Sequence, residues 1–457
     1  MERGDLFRSS HWKYRGEGHS SLVLFHVDKP RVVLRLKKID VVPGTVTSGK
    51  TREESMEYQR DFMQKVMRPL VGEPYVPVQQ TVALPRGFIE KMSVDTEKER
   101  PRNRLVKGVK SGTDVALLMP DVCFLPESSL SSSFIKDERV VCQTQLEIEK
   151  TDLNRDGDVE ETPIPTFCIE IKPKCGFLPP PYNSICKFCL FQRLKVKKGK
   201  WPYRSKYCPL DLFSGDVSRI KTALRCLLET PQNNLRIFHN GQCIFAEDKE
   251  SSTPSQQLDD LKRVLRPYFP GENPIEGLIT VLSQILTEPG SMDSSTSSPP
   301  VCEQSSHQFS VETPNQTIPC KLLAKLLGIQ KYDDSGSPGT FPLYRKLRKE
   351  CDAPPDDYIF WDLNDSPPRL RSSREDMEET AVSVLSQIER YLLAATAKDC
   401  SIMIAMRPQT NLRSLQKTVI FYDYSLAVVD LDLKGIWRVR KYFEEDQEIL
   451  ESFSNSV

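Results

Sequence analysis

Apolar positions in this chain alternate in short runs early and fall into helical stripes later, a pattern that predicts an α+β protein. Near the start, Trp12-Lys13-Tyr14-Arg15 and Leu22-Val23-Leu24-Phe25 flank the turn Gly16-Glu17-Gly18-His19-Ser20-Ser21. Residues 31–37 read as the next strand. Within residues 51–70, Phe62, Val66 and Met67 recur at helical spacing, with Glu57 one turn earlier. Residues 75–78 and 115–119 are strand candidates, and 97–104 is a charged, proline-broken loop. The β-branched and aromatic run 164–169 reads as a buried strand. Beyond it the pattern turns helical, with Val217, Ile220, Leu224 and Leu227 on one face of a helix over 216–229. A short strand at 235–238 stops at Asn240-Gly241, a strong hairpin signal. Further helices are predicted near 256–266, 275–287, 319–329 and 375–396. Residues 288–318 are low in complexity and read as a disordered insertion, and the proline- and aspartate-rich stretch 353–369 as a loop. The chain closes with a strand at 401–405, strands within 418–433 and a charged helix over 435–452. No internal repeat is visible.

At 457 residues the chain exceeds one hydrophobic core, so at least two domains or lobes are expected. Its 63 basic residues balance 63 acidic ones, which argues against bulk binding to nucleic acid or anionic membrane. The basic run Lys195, Lys197, Lys198, Lys200, Arg204 and Lys206 has few interleaved aromatics beyond Trp201 and Tyr203, so a nucleic-acid role for it is weak. Residues 1–10 lack an apolar core, so no secretory signal is predicted, and no stretch reaches the 18 apolar residues of a membrane helix. Thirteen scattered cysteines, an odd number, fit reduced thiols in the cytosol or nucleus better than a disulfide framework. The one CxxC, Cys186 to Cys189, lies between Cys175 and Cys208; zinc binding and separate buried thiols both remain open for it.

The chemistry concentrates in four places. On a strand, Glu170, Lys172 and Lys174 would project to one side, with Pro173 removing a ladder donor between the lysines. One carboxylate and two ammonium groups aimed from a strand end suit a polyanionic ligand; a charged edge strand protected from aggregation is the alternative. Asp399 falls at a helix-to-strand junction, as a functional acid or as a turn aspartate. Asp430, Asp432 and Lys434 alternate with apolar residues, either as a cation site for phosphate chemistry or as the polar face of a half-exposed strand. The Gly16-Glu17-Gly18 turn is weak alone. It is followed by a strand carrying Arg35 and a helix carrying Glu57, which is the order of a protein-kinase small lobe. Met119-Pro120-Asp121 falls where a hinge belongs.

Six motifs together resemble the inositol-pentakisphosphate 2-kinase family, in its animal branch. They are the Gly16-Glu17-Gly18 turn, residues 170–177 with their Glu-x-Lys-Pro-Lys string, 207–215, 232–238, 395–403 and 430–434. They occur in family order across residues 14 to about 442. The resemblance implies transfer of the γ-phosphate of ATP to the 2-hydroxyl of inositol 1,3,4,5,6-pentakisphosphate, giving the hexakisphosphate. It implies a two-lobed kinase-like fold, with an antiparallel-sheet N-lobe over 1–119 and a mixed C-lobe over 120–457. A mostly helical inositide-binding insertion is expected at about 178–208 and 242–385.

Position by position, the resemblance gives Arg15, Gly16, Glu17, Gly18 and Arg35 to the nucleotide phosphates. Pro120, Asp121 and Val122 form the hinge, and Met403 packs on adenine. Glu170, Lys172 and Arg236 also serve the nucleotide. Asp399 matches the catalytic base and Asp430 a magnesium ligand, with Asp432 as a second polar contact. Arg104, Lys174, Lys195, Asn233, Lys434, Arg438 and Tyr442 match inositide contacts. Lys434, Arg438 and Tyr442, spaced four apart, would also stack on one face of a helix. Ser21 departs from the family's usual asparagine, and Phe191 from a common histidine. ATP and Mg2+ are the expected cofactors. No zinc is expected, because the plant enzymes' site has no counterpart in 320–352. The implied protein is a cytoplasmic and nuclear monomer needing neither nucleic acid nor membrane; a non-catalytic inositide-binding scaffold is the alternative.

Overall fold

The computed structural model describes residues 6–18, 20–29, 31–40, 52–109, 115–126, 138–147, 164–247, 254–269, 271–287, 321–350, 359–372, 379–409 and 419–454. The predicted insertion at 288–318 lies outside them. The fold is α+β with antiparallel sheets. Strands β1 (Trp12–Glu17), β2 (Ser21–His26), β3 (Val32–Asp40), β6 (Val115–Pro120) and β4 (Gln80–Ala83) line up in that order, and β5 (Lys107–Val109) pairs with β3. Alternation along β2 buries Leu22, Leu24 and His26, and the two leucines join Leu34, Leu36, Leu118, Phe88, Ile89 and Met92 in one core.

A second sheet runs β10 (Gln242–Ala246), β9 (Leu235–His239), β8 (Phe167–Ile171), β13 (Ser401–Pro408), β14 (Val419–Val429), β7 (Cys142–Glu147). β8 and β13 are buried along almost their whole length. Helices Val217–Glu229, Pro274–Ile285, Lys321–Gln330 and Glu379–Lys398 share the larger core with this sheet. The first long helix, Arg52–Phe62, widens into a π turn at Met63–Met67. Phe62, Met63, Val66 and Met67 belong to the larger core, whereas Met56 packs on Val115 and Leu117 of the first sheet. A third apolar cluster joins residues 122–125 to Cys168, Phe238, Met403, Ala405 and Ala427.

Several expectations change. β8 is flanked by β9 and β13, so it is a central strand and not a protected edge. It ends at Ile171, so strand alternation does not orient Lys172 or Lys174; Lys174 takes φ 62. β14 stops at Val429, and Asp430 turns the chain at φ 60, so Asp430, Asp432 and Lys434 do not share a strand face. The last helix begins only at Arg438, which leaves Lys434 outside the expected helical stack. Residues 75–78 form no strand, because a short 3-10 turn occupies Glu73–Tyr75 and the strand begins at Gln80. The stretch predicted as a loop contains Ile359–Asp362, which pairs with Arg369–Ser372 as a hairpin. Trp361 seats that hairpin on the first helix through Tyr58 and a T-shaped contact 5.1 Å from Phe62. Helices Phe88–Asp95 and Gly336–Glu350 were not signalled; the second carries Pro342 in its interior.

Candidate active site

One edge of the second sheet, where antiparallel β8 and β14 end and β13 and β9 begin, brings distant charges together. The Lys172 ammonium donates to Asp430 Oδ2 at 2.7 Å and to Ser401 Oγ at 2.8 Å. Ser401 donates to Glu170 Oε1 at 2.9 Å, and Arg236 closes the far side of Glu170 at 3.6 Å. Burial pushes the Lys172 ammonium toward neutrality, but Asp430 and Glu170 reverse that and raise its pKa above the ordinary value. Asp430 is lowered against the pull of burial, chiefly by Lys172 and then by Arg35.

Asp399 stands beside this group, one residue past the helix Glu379–Lys398, with its N–H bonded to Thr396 O at 3.1 Å. A helix C-terminus disfavours an anion. Two lysines offset that: Lys434 Nζ at 2.9 Å from Oδ2 and Lys174 Nζ at 3.4 Å from Oδ1. Although 54% of its side-chain surface is exposed, protein crowds close enough for burial to raise its pKa. Lys174 and Lys434 outweigh that and hold the carboxyl well below the usual range.

The first sheet contributes Arg35, whose guanidinium bonds Asp432 at 2.6 Å and Ser21 Oγ at 2.8 Å. Its expected partner, Glu57, is solvent-exposed, and Arg35 pairs with Asp432 instead. Gly16 sits at a register shift in β1, and a Cβ at Gly16 or Gly18 would meet nothing within 4 Å. Packing therefore does not demand either glycine, and both leave open space over the turn. The Glu17 side chain points elsewhere: it is buried between Lys38 and Arg100, whose Nε lies at 2.9 Å. Arg104 also lies apart, its carbonyl accepting from Arg100 at 3.0 Å. Arg15 pairs with Asp121 and donates to Gly241 O, tying the first sheet to the β9–β10 turn. Pro120 ends β6, and Val122 and Met403 share one apolar cluster.

Lys195 is half-buried on helix Lys187–Lys197, over the Phe191 ring at 4.6 Å, and its charge is felt together with that of Lys174. Phe191 thus meets a cation where a histidine would have offered a donor. Arg438 and Tyr442 lie one turn apart on the last helix, and Asn233 is exposed before β9. No described contact joins Asn233, Arg438, Tyr442 or Arg104 directly to Asp399.

Three positioning residues escaped the sequence reading. Ser401 links Glu170, Lys172 and Asp430, and its only signal was a hydroxyl opening an otherwise apolar strand. Asn234 donates to Lys172 O at 3.0 Å and accepts Lys172 N–H on its own carbonyl. Gln330, on a distant helix, bonds Gly176 N and Lys174 O. Elsewhere, the thiols of Cys186, Cys189 and Cys208 lie within 4.8 Å of one another, so they form a cluster rather than separate buried groups. Cys175 is not part of it.

Known proteins resemble this chain along its length. A family model described as inositol-pentakisphosphate 2-kinase matches residues 14–448. A Danio rerio protein named inositol-pentakisphosphate 2-kinase is 31% identical over 495 residues, covering 99% of this chain and 95% of its own. Its Arabidopsis thaliana namesake is 26% identical over 500 residues, covering 98% and 94%. A Drosophila melanogaster namesake is 28% identical over 339 residues, covering 57% and 51%.

Proposed function

This chain belongs to the inositol-pentakisphosphate 2-kinase family, and we propose from that premise how its residues divide the work. It is a kinase that phosphorylates the 2-hydroxyl of inositol 1,3,4,5,6-pentakisphosphate. The observation that carries the residue assignment is Asp399, exposed, flanked by Lys174 and Lys434, and adjacent to the Lys172–Ser401–Asp430 group.

The two sheets, each with its own apolar core, support a kinase-like division into an N-lobe over 1–119 and a C-lobe over 120–457. ATP lies between them in this reading. Adenine packs against Val122 and Met403, and the open turn at Gly16 and Gly18 admits phosphate oxygens. Arg35 and Lys172 meet the nucleotide phosphates, and Glu170, which lies between Lys172 and Arg236, serves the nucleotide together with Arg236. Asp430 and Asp432 offer hard carboxylate oxygens suited to Mg2+, and phosphate charge would take over their present cationic partners. The metal, when bound, neutralises charge on the transferring group. Lys174, Lys195, Lys434, Arg438 and Tyr442 surround the inositide, whose phosphates need a pocket dense in cations.

Asp399 accepts the proton of the 2-hydroxyl as that oxygen bonds to the γ-phosphorus and the bridging P–O bond breaks, its electron pair leaving with ADP. Its depressed pKa makes it a weak base while Lys174 and Lys434 are its partners. When inositide phosphates claim those lysines, the carboxylate loses counter-charge and becomes more basic. The reading treats the protein as a monomer. The formal net charge is zero, and no described helix is long and apolar enough to cross a membrane. The clustered thiols of Cys186, Cys189 and Cys208 are assigned no part in phosphoryl transfer. Unpaired thiols among the described cysteines suit the reducing cytoplasm and nucleus.

The test is to supply ATP, Mg2+ and the pentakisphosphate and to look for the hexakisphosphate. Product should form with the native chain and vanish in Asp399→Ala, while pentakisphosphate binding persists. Undiminished turnover in Asp399→Ala would end the assignment of the base.

A further inference from the structure

Lys174 is held in an unusual way for a ligand-binding lysine. Its backbone adopts φ 62, a conformation that costs a residue with a Cβ roughly 1–3 kcal/mol unless the surroundings enforce it. The enforcement comes largely from Gln330, the last residue of helix Lys321–Gln330, which is fully buried. Its amide oxygen accepts from Gly176 N at 2.8 Å, and its amide nitrogen donates to Lys174 O at 2.9 Å. The same nitrogen reaches Ala397 O at 3.3 Å, in the last turn before Asp399. Two further contacts close the frame. Tyr207 OH donates to Pro173 O at 2.8 Å, and the Phe213 ring approaches Gly176 so closely that any Cβ there would collide with it at 2.3 Å.

We infer that Gln330 is a positioning residue that fixes Lys174 against Asp399, coupling the cation that receives the inositide to the acid that receives its proton. One planar amide touches both backbones, and no other described side chain hydrogen-bonds to the Lys174 carbonyl and to the last turn of the Asp399 helix. The role is remote from the reacting atoms, and it rests on the proposed assignment of Lys174.

The test is a double-mutant cycle on pentakisphosphate binding, measured by calorimetry on the full chain. Gln330→Met keeps the side-chain volume and removes all three bonds. It should weaken pentakisphosphate binding ~10-fold, in keeping with the sensitivity of catalytic geometry to ångström shifts, while ATP affinity moves less than about twofold. In a Lys174→Ala background the same change should cost little, because its target is already gone. Equal losses in both backgrounds, or an equal loss of ATP affinity, would show a general structural role and overturn the inference. If Gln330→Met does not fold, Gln330→Glu is read by the same cycle, since it keeps the acceptor for Gly176 and loses the donors. The readout is binding, so absent turnover in the native chain would sink the kinase assignment without touching this result. Turnover with an additive cycle would do the reverse.

Discussion

Lys195 should make inositide binding weaken above pH 8. Its ammonium lies over the Phe191 ring at 4.6 Å and near Phe188 at 6.0 Å. Burial first, and then the charge of Lys174, push its pKa from the ordinary 10.5 down to about 8. A phosphate binds the protonated form, so affinity is intact below that value and is lost as pH rises through it. About nine-tenths of the group is charged at pH 7 and about one-tenth at pH 9, so the apparent Kd should rise roughly tenfold over that interval. Calorimetry with the pentakisphosphate at constant ionic strength measures it. The inositide's own phosphates also ionise with pH, in the direction that favours cations. The comparison is therefore with Lys195→Arg, whose guanidinium stays charged throughout. The ratio of the two affinities should fall with pH and flatten below 7. A ratio constant from pH 7 to 9 would refute the depressed lysine.

Three further outcomes follow from the contacts. Ser401→Ala leaves Lys172, Glu170 and Asp430 short of a partner, so kcat should fall about tenfold or more with inositide KM little changed, as steady-state kinetics would show. Arg35→Ala frees Asp432 and removes a phosphate cation, so the KM for ATP should rise well above any change in the KM for inositide. Glu17→Gln uncovers Lys38 and Arg100 in the interior of the first sheet. It should cost about 3–5 kcal/mol in a denaturant melt, far more than a turn residue would.

Local pattern carried most elements, because alternation and helical periodicity are properties of neighbours. The buried strand read over 164–169 from its apolar content is observed at 167–171, and the helix from Val217, capped by Asp216 accepting Arg219 N–H at 2.8 Å, is where periodicity puts it. Failures occur where backbone conformation departs from the regular period. Lys174 and Asp430 both take positive φ, which rotates their side chains off the faces that alternation assigns. Those rotations bring the lysine to Asp399 and the aspartate to Lys172. The Arg35–Glu57 pairing failed for another reason. Charge type and spacing cannot say which of several cations a carboxylate meets; Glu17 meets Lys38 and Arg100, while Arg35 meets Asp432. Gln330 carried no signal at all, since a polar residue ending an apolar helix is ordinary until its partners are seen.

The electrostatic state of the site bears on how the reaction is timed. The four proposed phosphate cations in direct contact with the site's acids are paired: Lys172 has Asp430, Lys174 and Lys434 share Asp399, and Arg35 has Asp432. A pocket of unpaired cations would be costly to hold together, and pairing removes that repulsion. The pairing also keeps Asp399 a poor base until the inositide arrives. Substrate phosphates exchange with the carboxylates for the lysines, so the step that binds the acceptor is the one that releases the base. Water, which cannot claim the lysines, leaves Asp399 in its weakly basic state. On this account ATP hydrolysis without inositide should be slow. A non-reacting polyphosphate that occupies the lysines should stimulate it, and a polyanion that binds yet leaves hydrolysis unchanged would break the link between pairing and basicity.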